Sequence, residues 1–135
     1  MKIFIICSKR FYPFIPEVKQ QLEKLGHEIT LPNCYDNPYT ENEYRGTKGH
    51  AAWKAKMFKQ SEQIIQGEDA VLILNLDTAE NKSYIGGATF LEMYDAFRLD
   101  KKIYMINYPK DSIIKDEIIG FEPVVIGYDF EKIGE

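Results

Sequence analysis

The stretch that decides the fold is Asp69–Asp77, DAVLILNLD. Every residue at its centre is apolar. The run lacks the alternation of polar and apolar residues that is typical of a strand with one solvent-exposed face. Such a run predicts a β-strand that is covered on both faces and lies near the centre of a parallel sheet. Asn75 and Asp77 stand where this strand is expected to leave the core.

Working outward, further apolar runs alternate with helical patterns on both sides of this strand. Strands are predicted at IFII (3–6), HEITLP (27–32), KKIYMINYP (101–109) and FEPVVIG (121–127). Helices are predicted at 16–25, 50–67, 88–99 and 112–119, with a terminal helical turn near 129–134. This alternation indicates an α/β domain with helices on both faces of a parallel sheet. Five strands in the order 2-1-3-4-5 make the flavodoxin-like doubly wound fold, and we expect residues 1–135 to form one such domain.

Composition and charge exclude several classes of protein. A formal net charge of −4 argues against a binder of nucleic acid polymers, which normally carries a dominant basic patch. The two cysteines, Cys7 and Cys34, form no CxxC pair and suit a reducing compartment. The apolar run at the N-terminus is too short for a signal segment or a membrane span, so we expect a cytoplasmic protein without membrane contact.

The topology brings two polar loops together. Ligands of doubly wound sheets bind beyond the carboxyl ends of the strands, where the strand order reverses. The loop CSKRFY (7–12) is expected at that edge, and its Ser8, Lys9 and Tyr12 are candidate binding residues. A serine and cations before a helix suit a phosphate group, although an ordinary solvated basic turn explains the same residues equally well. Neither GxGxxG nor a Walker P-loop is present.

The second loop leads through Tyr84 to Gly86 and Gly87 at a predicted helix start. Glycines there let a ligand approach the backbone and its amide donors closely. The alternative is a tight turn that needs a positive φ.

Glu92 lies within the helix that these glycines open, among mostly apolar residues. If the helix is buried, desolvation raises the pKa of this carboxyl and suits it to act as a nucleophile or general acid. If Glu92 shares a polar strip with Asp95 and Arg98, it is a surface residue. The residue pattern alone leaves these two readings equal.

Other polar residues are candidates with open alternatives. Asn75 and Asp77 leave the strongest predicted strand, and Asp77 either orients a sugar hydroxyl, supports Glu92 or caps a turn. The irregular segment 33–47 is long enough for a lid or binding loop. Trp53 with Lys54, Lys56 and Lys59 forms either a small basic-aromatic strip or, as we expect, a solvated helix face. The two histidines belong to no metal-binding motif, so we expect no metal site.

The combination of EDAVLILN (68–75) with GGATFLE (86–92), a helix and then KKI (101–103) resembles the nucleoside 2-deoxyribosyltransferase superfamily, which includes the 2'-deoxynucleoside 5'-phosphate N-hydrolases. The order of elements is similar along nearly the whole chain. The resemblance implies a flavodoxin-like fold and an enzyme that cleaves the N-glycosidic bond of a 2'-deoxynucleoside or its 5'-monophosphate.

The resemblance also implies roles for individual residues. Glu92 would be the nucleophile on C1', the Ser8 turn would hold the 5'-phosphate, and Tyr84, Gly86 and Gly87 would lie against the sugar. It implies no cofactor, and a homodimer or higher homo-oligomer in which subunits complete each other's sites. Two alternatives remain: a nucleotide-binding or sensing module without catalysis, and an NAD-type N-glycosidase.

Overall fold

The computed structural model describes residues 1–134 and contains one five-stranded parallel sheet. The strands are β1 (Lys2–Ile6), β2 (Glu28–Thr30), β3 (Ala70–Ile73), β4 (Lys102–Met105) and β5 (Val124–Val125). Their order is β2-β1-β3-β4-β5, and every neighbouring pair is parallel. The predicted flavodoxin-like α/β fold is therefore confirmed.

Five α-helices connect these strands: α1 (Ile15–Lys24), α2 (Thr40–Tyr44), α3 (His50–Gln66), α4 (Gly87–Arg98) and α5 (Lys115–Gly120). Short 3₁₀ turns cover Lys9–Phe14 and Phe130–Lys132. Pro16 stands in the first turn of α1, where its missing N–H removes no helical hydrogen bond. Gly26 follows that helix with φ of +91°, a left-handed conformation that favours glycine and ends the helix.

The sheet separates two hydrophobic cores because successive side chains of a strand point to opposite faces. Ile3 and Ile5 of β1 pack with Leu22 of α1 on one face. Phe4 and Ile6 pack on the other face with the helices α3, α4 and α5. Because helices and loops cover both faces of the sheet, β3 and all of β1 except Lys2 are apolar.

Strand β3 is shorter than the predicted run, because it ends at Ile73. Its partner β1 ends at Ile6, and the last bond between them runs from the Leu74 N–H to the Ile6 carbonyl over 3.1 Å. The chain stays buried as far as Leu76. At this end of the strand, however, hydrogen bonds made by the Asn75 side chain take the place of main-chain hydrogen bonds between strands.

The reversal of strand order falls between β1 and β3, since the crossover from β1 leads to β2 on one side and that from β3 leads to β4 on the other. The loops after β1 and β3 therefore meet at the carboxyl edge of the sheet. None of the helices within residues 1–134 is long and apolar enough to cross a membrane.

Candidate active site

A cavity of about 310 Å³ opens at this edge, between the turn after β1, the segment before α3 and the first turns of α4. Seven of the nine residues predicted from the sequence line it: Ser8, Lys9, Tyr12, Tyr84, Gly86, Gly87 and Glu92. The topology thus brings together residues that lie more than 80 positions apart in the chain.

The turn after β1 is organised by Ser8, which precedes the 3₁₀ turn Lys9–Phe14. Its hydroxyl accepts a hydrogen bond from the Arg10 N–H over 3.4 Å. Lys9 lines the cavity with its ammonium group 5.3 Å from the centre of the Tyr39 ring. The turn therefore places a hydroxyl and a cation at the cavity wall.

Tyr84 joins this turn to the start of α4. The Arg10 guanidinium lies over the Tyr84 ring at 4.4 Å, a cation–π contact, and Phe11 packs edge-on against the same ring at 6.3 Å. On its other side Tyr84 faces Gly86, where an added Cβ would stand 3.6 Å from the phenol oxygen.

The glycines at the start of α4 are not required by the backbone conformation. Gly86 has φ of −81° and Gly87 is not among the residues with a positive φ, so the turn reading is wrong. A Cβ at Gly86 would make only ordinary van der Waals contacts, and one at Gly87 would meet no atom within 4 Å. The described residues give no steric reason for glycine here, and the space beside the first turn of α4 is open to a ligand.

Glu92 lies in the second turn of α4 and lines the cavity. Although part of its side chain remains exposed, burial of the carboxyl group raises its pKa to about 7, against a lowering by a hydrogen bond from Ser61. Asp95 raises this pKa further and Lys54 lowers it. The Glu92 carboxyl therefore gains or loses its proton near neutral pH.

Helix α4 is buried on one side only, although most of its residues are apolar. Thr89, Met93 and Ala96 face the core, whereas Leu91 and Tyr94 are 45% and 49% exposed. The helix covers only one face of the sheet, so its outer face meets solvent.

Three further groups in the cavity stay protonated at neutral pH. Burial, with a smaller contribution from Glu92, raises the pKa of the Cys7 thiol to about 12. Burial also raises the pKa of the Tyr12 phenol and of the Cys34 thiol. Tyr12 is therefore a hydrogen-bond donor at neutral pH and not an anion beside Glu92.

Asn75 and Asp77 do not line the cavity. Asn75 is fully buried, and its Oδ1 accepts from the Ile106 and Asn107 N–H groups over 3.0 and 3.1 Å. Its Nδ2 donates to the Asn107 carbonyl over 2.7 Å, so the amide ties the end of β3 to the end of β4. The Asp77 side chain is held by the loop that follows β3. Both polar atoms of the Asn75 side chain thus bond to the end of β4 and the side chain does not line the cavity, so its predicted binding role gains no support from the structure.

The sequence predicts a lid or binding loop between β2 and α3 but does not indicate which of its residues reach the cavity. Segment 33–47 is not wholly irregular, since α2 lies within it and brings Glu41 and Arg45 to the cavity. Glu41 accepts hydrogen bonds from His50 Nε2 at 2.8 Å and from Lys54 Nζ at 3.1 Å. Burial alone would raise the pKa of Glu41, but these bonds hold it below its usual range. No periodic pattern in a five-residue helix indicates such contacts.

The interpretation of Trp53 and Lys54 as a solvated face is wrong for both residues. Each lines the cavity, and Trp53 stacks on Tyr44 with ring centres 5.7 Å apart and planes inclined by 16°. The α2 helix is thus fixed to α3 by one aromatic stack and one ion cluster. Since Lys56 and Lys59 remain exposed, the solvated interpretation holds for the rest of this helix face.

The histidines lie in different places. His50 belongs to the Glu41 cluster, and His27 contacts the N-terminal ammonium over 3.1 Å at the opposite edge of the sheet. Within residues 1–134, no group of three or more His, Cys, Asp or Glu side chains is arranged to hold a metal ion.

Comparison with known proteins adds no assignment. No protein-family model matches the chain, and a search of curated proteins finds no similar sequence. The chemistry of the cavity is therefore the basis for a function.

Proposed function

We propose that the protein cleaves or transfers the N-glycosidic bond of a 2'-deoxynucleoside or its 5'-monophosphate, with Glu92 as the nucleophile. The observation that carries the proposal is the position of the Glu92 carboxyl, which faces a cavity at the carboxyl edge of the sheet with a pKa of about 7. A partly desolvated carboxylate is both nucleophilic and able to stabilise positive charge on an anomeric carbon.

The proposed chemistry has two steps. A Glu92 oxygen forms a bond to C1' as the C1'–N bond breaks, and the nucleobase leaves with the bonding electron pair and takes up a proton. Water then cleaves the glutamyl ester in a hydrolase, or the nitrogen of a second base does so in a transferase. Both steps pass through oxocarbenium-like states that the carboxylate stabilises. The absence of a 2'-hydroxyl on the sugar leaves room for this approach.

The glycines and the Ser8 turn support binding of a sugar and a phosphate. The first N–H groups of α4 have no partner within the helix and are available to an anion. Ser8 and Lys9 offer a hydroxyl and an ammonium group across the same cavity. This arrangement favours a 5'-monophosphate as the substrate, with Tyr84 against the sugar.

The charges of the cavity also fit an anionic substrate. Lys9, Arg45 and Lys54 line it, and Glu41 and Glu92 are its only carboxylates among the described residues. Because the pKa values of Tyr12 and both thiols are raised, these groups add no negative charge at neutral pH.

The proposal includes a homodimer or a higher homo-oligomer. Phe58, Leu91 and Tyr94 line a shallow groove of about 200 Å³ between α3 and α4. Glu92 lies on the wall of this groove as well as in the main cavity. A second copy seated there would cover exposed apolar surface and close the site beside the nucleophile. The two free cysteines, Cys7 and Cys34, fit a cytoplasmic location for this assembly.

The test is release of free base from each of the four deoxynucleosides and their 5'-monophosphates, followed by chromatography. Glu92→Gln should abolish release while circular dichroism stays unchanged, and the matched control Glu117→Gln, in an exposed part of α5, should keep full activity. Intact mass spectrometry of the quenched wild-type reaction should detect a deoxyribosyl adduct that the Glu92→Gln variant lacks. Equal turnover by this variant, or binding of nucleotide without any release of base, would contradict the proposal.

A further inference from the structure

A second concave surface of about 510 Å³ adjoins the main cavity on the side of the turn after β1. This tyrosine groove, named for Tyr12, Tyr35 and Tyr39, lies between that turn, the start of α1 and the segment before α2. Lys9, Tyr12 and Pro38 line both the groove and the main cavity. A ligand held at Lys9 in the main cavity is therefore at the entrance of the tyrosine groove.

The tyrosine groove is positively charged. Among the described residues it carries two cationic side chains, Lys9 and Arg10, against one carboxylate, Asp36. Neither cation forms an ion pair with a described residue. The Lys9 ammonium instead lies 5.3 Å from the centre of the Tyr39 ring, and the Arg10 guanidinium lies 4.4 Å from that of Tyr84. Cations without a carboxylate partner attract an anion, and the turn that carries them is the one proposed to hold the 5'-phosphate.

Aromatic rings form much of the remaining wall. The rings of Tyr12 and Tyr35 pack together with centres 5.5 Å apart and planes inclined by 43°. Tyr39 also lines the groove, although 67% of its surface is exposed. The face of a tyrosine ring stacks with a planar ring of almost any kind. The groove thus offers an aromatic group a contact surface beside two cations.

The walls are already ordered without a ligand. Three lining residues are prolines, whose φ is fixed: Pro13, Pro16 and Pro38. The segment that carries the tyrosines is held by consecutive turns. The Tyr35 N–H donates to the Pro32 carbonyl over 3.0 Å, and the Asn37 N–H donates to the Cys34 carbonyl over 3.1 Å. A surface ordered in advance loses little conformational entropy when a ligand binds.

We propose that the tyrosine groove is a second subsite, which binds an aromatic group esterified to the 5'-phosphate of the substrate. The substrate class is then a 5'-phosphodiester of a 2'-deoxynucleoside, such as a dinucleotide. Lys9 and Arg10 hold the phosphodiester anion, and Tyr35 and Tyr39 contact the second ring. Cleavage at C1' by Glu92 leaves the phosphodiester intact. The place of the deoxynucleoside in the main cavity rests on the proposed function, whereas binding of a ring and a phosphate in the groove does not.

A chain of further phosphates is the other group that a 5'-phosphate can carry. Two cations and one carboxylate leave the groove a single net positive charge, which matches the one negative charge of a phosphodiester rather than the several charges of a triphosphate. Phosphates would also leave the tyrosine rings without a contact. The charge and the rings together favour the aromatic ester.

The groove is tested first with small probes that do not depend on catalysis. Phenyl phosphate and methyl phosphate carry the same anion and differ in the ring, and each is titrated into ¹⁵N-labelled protein. Phenyl phosphate should shift the amide resonances of residues 9–12 and 35–39 and bind about tenfold more tightly than methyl phosphate. Equal binding of the two probes, or no shifts at 35–39, would overturn the proposal.

The second experiment joins the groove to the main cavity. The phenyl and methyl esters of a 2'-deoxynucleoside 5'-monophosphate, with whichever base binds most tightly, are titrated calorimetrically into Glu92→Gln, which cannot form the proposed adduct. The phenyl ester should bind about tenfold more tightly than the methyl ester. In the same background Tyr39→Ala should reduce this ratio severalfold. The matched control Tyr128→Ala removes an equally exposed ring outside the groove and should leave the ratio unchanged.

The cation is tested separately from the ring. Arg10→Gln should weaken the binding of both esters severalfold and to the same extent, because it removes a charge and no ring. Lys24→Gln makes the same change of charge at an exposed position of α1 and should weaken neither. Full affinity in Arg10→Gln would contradict the role of Arg10 in holding the phosphodiester.

The results separate the subsite from the proposed function. If the wild type releases no base from any nucleotide, the proposed function fails while the ratio of affinities still decides the subsite. If no nucleotide binds, the NMR titration decides it. If base is released and the two esters bind equally, the subsite is overturned and the proposed function stands.

Discussion

The main-chain N–H of Ser83 donates a hydrogen bond to Asp77 Oδ1 over 2.9 Å. Ser83 has φ of 49°, a left-handed conformation that is unfavourable for a residue with a Cβ. The Asp77 carboxylate therefore holds a strained turn between β3 and α4. Tyr84 and Gly86, which line the cavity, follow one and three residues after Ser83.

We accordingly expect Asp77→Ala to act on stability more than on chemistry. Loss of the bond should lower the free energy of unfolding by about 1 kcal/mol, which corresponds to a fall in Tm of roughly 3–5 °C for a chain of this size. Calorimetry and the base-release assay measure the two effects. The double variant Asp77→Ala with Ser83→Gly should regain stability, since glycine adopts this φ without strain. A loss of activity by two orders of magnitude or more at unchanged Tm would instead identify Asp77 as part of the chemistry.

Gly87→Ala tests whether glycine is needed at this position for folding or for binding a ligand. A Cβ there meets no atom within 4 Å, and alanine at a helix start should raise the free energy of unfolding by about 0.5–1 kcal/mol. The same Cβ would project beside the space proposed for the sugar, so kcat/KM should fall. The matched control is Gly120→Ala at the end of α5, which also meets no neighbour within 4 Å and should gain stability without losing activity. Full activity in Gly87→Ala would place the substrate away from the start of α4.

The attachment of α2 gives a further prediction. Glu41→Gln weakens the bonds to His50 and Lys54, so α2 should open more often over the cavity. Hydrogen exchange of amides 40–45 should accelerate severalfold. The control is Glu43→Gln, which should exchange like the wild type, because Glu43 is exposed on the same helix and has no ion pair among the described residues.

The same contacts make the stability of the chain depend on pH. Because the pKa of Glu41 is lowered in the folded chain, its stabilising contribution is present above its unfolded pKa and is lost as the pH falls through the folded value. Exchange unaffected by Glu41→Gln would leave the Tyr44–Trp53 stack as the principal attachment.

Much of the fold is predictable because it depends on local patterns. Continuous apolar runs such as Val71–Leu74 are inconsistent with a half-exposed strand, and their alternation with helices leaves few topologies. The topology in turn predicts that the loops after β1 and β3 meet, which places Ser8 near Gly86. The residue pattern left Glu92 equally between a buried and a surface position, and the resemblance to a known family is what favoured the cavity.

The rest depends on tertiary contacts that no local pattern records. Both polar atoms of the Asn75 side chain bond to backbone groups 31 and 32 positions later in the chain, so this structural role could not be predicted from its position at the end of a strand. Asn33 and Ser61 are 28 positions apart and are typical of a turn and of a helix surface, respectively. Their hydrogen bond exists only once the segment after β2 packs on α3.

The last prediction concerns the stability of the chain as a function of pH, and it holds whether or not the protein is an enzyme. The pKa of Glu92 is about 7 in the folded chain, above the value near 4.5 of an unperturbed glutamate. Between these two values the folded state binds more protons than the unfolded state, so the free energy of unfolding falls as the pH rises from about 4.5 to about 7 and levels off above that.

Glu92→Gln removes this dependence, since the amide is neutral at every pH. The variant should be more stable than the wild type by about 1–3 kcal/mol at pH 8 and nearly equal to it at pH 4, a gain expected when a functional carboxylate is neutralised. Urea unfolding at pH 4, 6 and 8 measures the difference, with Glu80→Gln as the exposed control that should show no such trend. A Glu92→Gln variant that is less stable at pH 8 than the wild type would mean that the ionised carboxylate is held by more favourable contacts than Ser61 and Lys54 provide.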